Sequence, residues 1–313
     1  MSLAFVFPGQ GSQSVGMMSA LAAYSPIIQS TFAEASSVLG YDLWELCQKG
    51  PEELLNATER TQPAMVAAGV ATFRLWVEKR GRLPDAVAGH SLGEFSAVVA
   101  AGCMDFKDAV ALVKYRGEIM QAALPAGQGA MAAVLGLEDA DVEAACREAA
   151  GSEVVETANF NSPGQVVIAG HATAVQRALE AAKARGAKRA LLLPVSAPCH
   201  SSLMKPASEQ LAARLASVPI KPTGGIAFYG VDIRVHRTPD EIRAALVKQL
   251  ATAVYWGSTI RTLIGAGFRQ FVECGPGKVL TGLNRRIDKN RDLKMLALED
   301  PAGLEDALNA LKG

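Results

Sequence analysis

Ala86-Val87-Ala88-Gly89-His90-Ser91-Leu92-Gly93 decides how this chain is read: an apolar run, a turn flanked by glycines, then an apolar stretch of helical spacing from Leu92 to about Ala101. Strand, sharp turn and helix in that order is the context in which G-x-S-x-G forms a nucleophile elbow. The turn forces the serine into a strained conformation, and small residues on both sides let the backbone pass without a clash. Ser91 Oγ then stands over a helix N-terminus, where the dipole and the Leu92 amide favour a developing oxyanion. A serine that merely caps the helix is the alternative.

Outward from the elbow, residues 3–7 read as a buried strand ending in the turn Pro8-Gly9-Gln10-Gly11. Amphipathic helices follow to about residue 80, one of them expected to open at Pro63, since a missing N–H is harmless in a first turn. Strands alternating with helices imply an α/β domain with a largely parallel sheet. Between Gly127 and Pro194 the pattern changes. Strand 130–135, helix 139–150, strands 154–159 and 165–169, helix 172–185 and strand 189–193 give β-α-β-β-α-β, the ferredoxin-like split unit. The expected organisation is a large domain of residues 1–126 and 196–313 with a small domain, 127–195, inserted. After the insertion the large domain resumes at Ser196-Ala197-Pro198-Cys199-His200 and gains helices and two strands, one ending in Glu273-Cys274-Gly275-Pro276-Gly277. Ligands in such sheets bind at the carboxyl ends of the strands, where the turns at 9–11, 89–93 and 275–277 are expected to converge.

At 313 residues, half of them hydrophobic, the chain has ample material for a core, and length alone suggests roughly two domains. Thirty-one Lys and Arg balance 31 Asp and Glu, which excludes a general electrostatic grip on nucleic acid or an anionic membrane. Five isolated cysteines without a C-x-x-C pair point to a reducing compartment. No stretch has the roughly 18 apolar residues of a bilayer span, and the N-terminus lacks a signal-peptide pattern, so a soluble cytoplasmic protein is expected.

A serine nucleophile needs a base, and there are four histidines, at 90, 171, 200 and 236. His90 is held in the elbow, His171 starts a helix of the inserted domain, and His236 falls in a polar stretch expected at the surface. His200, where the chain re-enters the large domain, is the best candidate for general base. Asp105, Asp108 and Asp139 are the acids available to a hydrolase triad, but each falls where a helix begins and reads as a cap. A Ser–His pair without an obvious acid argues against an ordinary esterase. Arg116 lies on the helix beginning near Asp105; it either meets Glu118 and solvent or offers a fork to an acyl carboxylate. Gly9-Gln10-Gly11 lacks the third glycine of a dinucleotide fingerprint and Gly277-Lys278 lacks the rest of a P-loop. Gln10 is instead placed to present an amide to the site.

Phe7-Pro8-Gly9-Gln10-Gly11-Ser12-Gln13, Thr61-Gln62-Pro63-Ala64, Gly89-His90-Ser91-Leu92-Gly93-Glu94, Tyr115-Arg116-Gly117 with Met120, Asn159-Phe160-Asn161-Ser162-Pro163-Gly164-Gln165, His200 with Met204, and Glu273-Cys274-Gly275-Pro276-Gly277 occur in order along the whole chain. Together they resemble the malonyl-CoA:acyl carrier protein transacylases of bacterial fatty acid synthesis. The resemblance implies an α/β-hydrolase-like large domain, a ferredoxin-like small one and a site in the groove between them. It implies ping-pong transfer of malonyl from malonyl-CoA through an ester on Ser91 to the phosphopantetheine thiol of holo-acyl carrier protein. His200 matches the base, oriented by the backbone carbonyl of Gln249; Gln10 and the Leu92 amide match the oxyanion hole; Arg116 matches the malonate-binding arginine, with Gln62 and Asn161 as further substrate-binding positions. No metal or cofactor is implied, coenzyme A thioester and phosphopantetheine being substrates, and a monomer is expected.

Related readings are the malonyl-transfer subunit of a malonate decarboxylase, a detached polyketide acyltransferase, a serine thioesterase or hydrolase, and a non-catalytic carrier-protein docking module. The last predicts a damaged nucleophile or base, whereas Ser91 and His200 are both present. An acidic carrier protein would suit a basic face, for which Lys183, Arg185, Lys188 and Arg189, or Arg285, Arg286, Lys289 and Arg291, are the candidates.

Overall fold

The computed structural model describes residues 1–195, 197–230 and 232–312. Ser196, at which the large domain was expected to resume, and Gly313 lie outside the described residues.

The chain opens with strand β1 (Ser2–Phe7), then helices α1 (Ser19–Tyr24), α2 (Ile27–Leu39), α3 (Leu43–Lys49), α4 (Glu52–Leu55) and α5 (Thr58–Glu78). Strand β2 (Ala86–Gly89) runs through the elbow into α6 (Gly93–Ala100), followed by α7 (Phe106–Gln121). Next come β3 (Gly129–Leu135), α8 (Asp139–Ala150), β4 (Val155–Ser162), β5 (Gln165–His171), α9 (Ala172–Ala184) and β6 (Arg189–Leu192). The last third holds α10 (Lys205–Leu215), β7 (Ala227–Tyr229), β8 (Val235–His236), α11 (Pro239–Lys248), α12 (Trp256–Gly265), β9 (Phe268–Glu273), α13 (Val279–Ile287), β10 (Lys294–Ala297) and α14 (Pro301–Ala310).

The strands form two sheets, in the orders β10-β9-β1-β2-β7-β8 and β4-β5-β3-β6. In the first, the pairs from β10 through β7 are parallel and only β7–β8 is antiparallel. Strand β1 lies at its centre and is buried on both faces, as its unbroken apolar sequence requires. Leu3, Phe5 and Phe7 face α5, where Phe5 meets Phe73 and Trp76 edge-on, while Ala4 and Val6 join the core beneath Trp256 and Ile260. The second sheet is antiparallel throughout, with the strand order of the split β-α-β unit. Its period-2 alternation gives the faces different work. Ala132, Val134, Val166 and Ile168 pack in one core with residues of α8 and α9, and Met131, Ala133, Gln165 and Val167 line the groove toward the large sheet.

The fold class is therefore the expected one, with local departures. Helix α5 begins at Thr58, and Pro63 sits inside it. The lost N–H removes one bond, to the Glu59 carbonyl, but Thr61, Gln62 and residues 64 to 68 around it are buried, and packing holds the helix through the defect. Among the described residues four strands, not two, follow the insertion. Strands β7 and β8 have three and two residues, too few for a visible alternation. His236 is not at the surface: it is 8% exposed, with Nε2 2.9 Å from Asp232 Oδ1 and its ring against Phe228. Asp105 caps α7 through the Lys107 amide, whereas Asp108 and Asp139 lie in the first turns of α7 and α8. All five cysteines are free and buried. Among the described residues no helix is long and apolar enough to cross a membrane.

Candidate active site

The elbow is built from contacts that only glycine permits. A Cβ on Gly89 would lie 2.0 Å from the Glu94 nitrogen, and one on Gly93 would lie 2.0 Å from the Phe7 carbonyl oxygen. Strand β2 and α6 therefore pass each other, and β1, at backbone distance. Between them Ser91 adopts φ 52°, in the left-handed region that a non-glycine residue enters only under constraint.

His200 meets it from the far side of the insertion. Its Nε2 is 2.6 Å from Ser91 Oγ, and its Nδ1 is 2.7 Å from the Gln249 carbonyl oxygen. A carbonyl only accepts, so the proton sits on Nδ1 and Nε2 offers its lone pair to the serine hydroxyl. His200 is itself at φ 62°, with its own N–H donated to the Leu250 carbonyl, so both members of the pair are held in unusual conformations. Burial, with help from the Arg116 charge, pushes the imidazole from 6.5 down to about 3, so it is neutral at ordinary pH.

Arg116 comes from α7 and is 1% exposed. Its Nη1 donates to Gln62 Oε1 at 2.9 Å and its Nη2 to Gln249 Oε1 at 3.0 Å. It meets neither Glu118 nor solvent. Burial lowers its pKa to about 10, and the guanidinium stays ionised near neutrality. Gln249 is equally buried. Its Nε2 donates to Glu94 Oε2 at 3.0 Å and to the Ser91 carbonyl at 3.1 Å.

Ser91, His200 and Arg116 border a cavity of about 260 Å³ between the two sheets, and Gln62, Gln249 and Glu94 stand behind them. Gly9, Gln10, Gly11, His90, Ser91, Leu92, Arg116, Asn161 and His200 line it, together with Met131, Ala133 and Val167 from the small sheet and Val279, Leu280 and Leu283 from α13. The turns at 9–11 and 89–93 thus converge on it. The turn at 275–277 does not line it: Gly275 packs on Pro8, and the following helix forms the wall.

Of the expected site residues, Ser91, Leu92, Gln10, Arg116, Asn161 and His200 share this cavity. Gln62 does not reach its wall; it is fully buried behind Arg116, its Nε2 directed at Met120 Sδ. Asn161 Oδ1 lies 2.8 Å from His90 Nε2, so its carboxamide is already engaged within the wall. Two features escaped the sequence reading, the buried carboxylate of Glu94 and the Gln249 side chain. A lone acid in the otherwise apolar Leu92–Ala101 helix was the available signal for the first. Among the described residues no cluster of three or more His, Cys, Asp and Glu is placed to hold a metal ion.

The arrangement suits attack by a serine oxygen on a carbonyl carbon, with proton transfer to imidazole, on an acyl group whose far end carries an anion. The comparisons agree. The model of the acyl transferase domain matches residues 4–296. The malonyl CoA-acyl carrier protein transacylase of Escherichia coli (strain K12) is 53% identical over 305 residues, spanning 97% of this chain and 98% of that protein. Its counterpart from Bacillus subtilis (strain 168) is 43% identical over 311 residues, 99% of this chain and 97% of the relative. A solved malonyl CoA-acyl carrier protein transacylase from Coxiella burnetii superposes with a TM-score of 0.97 at 46% identity, covering 100% of this chain and 98% of that one. A structure of a type II PKS acyl-carrier protein in complex with its malonyl-transacylase gives a TM-score of 0.96 at 50% identity, covering 99% and 100%.

Proposed function

The chain belongs to the acyl transferase domain family, among the malonyl-CoA:acyl carrier protein transacylases, and from that membership we propose how its residues divide the work. It is an acyltransferase that moves malonyl from malonyl-CoA to the phosphopantetheine thiol of holo-acyl carrier protein. Ser91 Oγ attacks the thioester carbonyl as its proton passes to His200 Nε2, with the imidazole oriented by the Gln249 carbonyl in place of an acid. Gln10 and the Leu92 amide receive the oxyanion, the latter at the N-terminus of α6. The coenzyme A thiolate leaves with the proton from His200, and the carrier thiol repeats the sequence on the malonyl ester. Arg116 holds the malonyl carboxylate, and Gln62 acts through Arg116. The single observation that carries this reading is the 2.6 Å Ser91–His200 contact in one cavity with a buried, ionised arginine.

We further propose that transfer uses no cofactor, that the protein works in the cytoplasm as a monomer, and that the small domain is bounded by 127 and 195. The carrier is proposed to dock beside α13. Lys183 and Arg185 are engaged by Glu180 and Glu148, whereas exposed Arg286 bonds Gln165, a residue of the cavity wall.

Replacing Arg116 with alanine tests the acyl-binding half. Malonyl transfer is expected to fall by about 100-fold or more in kcat/KM, as for loss of a buried charge-assisted pair, with acetyl transfer falling far less. Equal losses for both donors would remove Arg116 from that role.

A further inference from the structure

Arg116, in the wall of the site, and Glu94, behind it, are both buried, and the side chain of Gln249 stands between them. Its Oε1 accepts from Arg116 Nη2 at 3.0 Å, and its Nε2 donates to Glu94 Oε2 at 3.0 Å. The orientation is forced by chemistry, because guanidinium only donates and carboxylate only accepts. The remaining amide hydrogen goes to the Ser91 carbonyl, so every polar atom of the carboxamide has a partner.

A direct ion pair is the ordinary way to bury an arginine and a glutamate together. Here it would satisfy the guanidinium before any substrate arrived. The second neighbour of Arg116 is Gln62, also an amide, so the fork meets two neutral oxygens and no carboxylate. Glu94 remains close enough to help keep Arg116 ionised. We propose that the Gln249 side chain is a specificity-determining spacer, a neutral amide holding Glu94 one group away from Arg116 so that the guanidinium stays uncompensated for the acyl carboxylate. This rests on the assignment of Arg116 to the malonyl carboxylate and adds residues acting through it.

The spacer makes a prediction of opposite sign for two isosteric changes. Gln249→Glu puts a carboxylate on Arg116. Any proton shared with Glu94 settles on Glu94, farther from the positive charge, and the fork is neutralised before substrate binds. Glu94→Gln keeps an acceptor oxygen for the Gln249 amide and removes the anion that competes with malonyl. The measurement is the rate of Ser91 acylation by malonyl-CoA and by acetyl-CoA, read by quenched-flow intact mass on the full chain. The malonyl-to-acetyl ratio of kcat/KM is expected to fall about 100-fold in Gln249→Glu, as juxtaposed like charges dictate, and to rise about fivefold in Glu94→Gln. A merely structural role would lower both donors together in both variants. If Arg116→Ala collapses the ratio while Gln249→Glu leaves it in place, or if both isosteric variants move it the same way, the spacer is wrong and the arginine assignment stands. If Arg116→Ala leaves the ratio in place, the assignment beneath it is wrong and the spacer falls too.

Discussion

The base proposed here, His200, must arrive unprotonated, and its surroundings arrange this. Burial first and the Arg116 charge second lower its proton affinity from 6.5 to about 3. A depressed pKa keeps the basic form as pH falls, so no loss of base is expected on crossing 6.5. The pH profile of kcat/KM for malonyl-CoA should stay flat through this region down to about pH 5. A break near 6.5 that persists in a Glu273→Gln variant, which removes a buried carboxyl raised to about 7, would contradict it. Ser91 and His200 were legible as candidates in the sequence because serine in an elbow has a recognisable context and histidines are scarce, whereas Arg116 was singled out for the acyl carboxylate by the family resemblance. The Gln249–Glu94 contact was not, since it joins residues 155 positions apart and neither local pattern hints at the other.

Helix α13 supplies a wall of the cavity and is anchored by a buried carboxylate at the end of β9. Glu273 accepts from the Leu280 amide at 2.9 Å and the Thr281 amide at 2.7 Å. Burial outweighs those bonds and pushes the carboxyl from 4.5 up to about 7. A raised pKa means that the folded state binds the proton more tightly. Its contribution is present in full below about pH 4.5 and is lost as pH rises through about 7, roughly 3 kcal/mol across the window. Glu273→Gln lacks that slope but sets an amide NH₂ against backbone donors, costing about 1–3 kcal/mol. The variant's deficit in Tm should therefore shrink as pH is raised from 4.5 to 7. A constant deficit would show that Glu273 does not titrate there. Most elements could be read from hydrophobic period and turn chemistry. Pro63 inside α5 and the short β7–β8 pair could not, because burial of the flanking residues decides the first and pairing with β2 brings in the second.

At the scale of the molecule, Ser91 and His200 lie 109 positions apart, with the strands of the small sheet between them in sequence, and the fold brings their side chains to 2.6 Å. The β-α-β-β-α-β order was visible in the sequence. Which of the small sheet's groove residues meet which turn of the large sheet was not, because that depends on how the two sheets face each other. Net charge is zero, so attraction of an acidic carrier has to be local. Arg286→Glu is expected to raise the KM for holo-acyl carrier protein about tenfold at low salt, with little change for malonyl-CoA, and Lys183→Glu, whose partner is already Glu180, to change either by less than about twofold. Equal effects in steady-state assays would rule out docking beside α13.

The account stands or falls on covalent transfer through one serine. Intact-mass spectrometry after brief incubation with malonyl-CoA should find a single malonyl adduct on the native chain. The adduct should be absent from Ser91→Ala and discharged when holo-acyl carrier protein is added. A malonyl adduct on Ser91→Ala, or a native chain that releases free malonate without acylating the carrier, would contradict it.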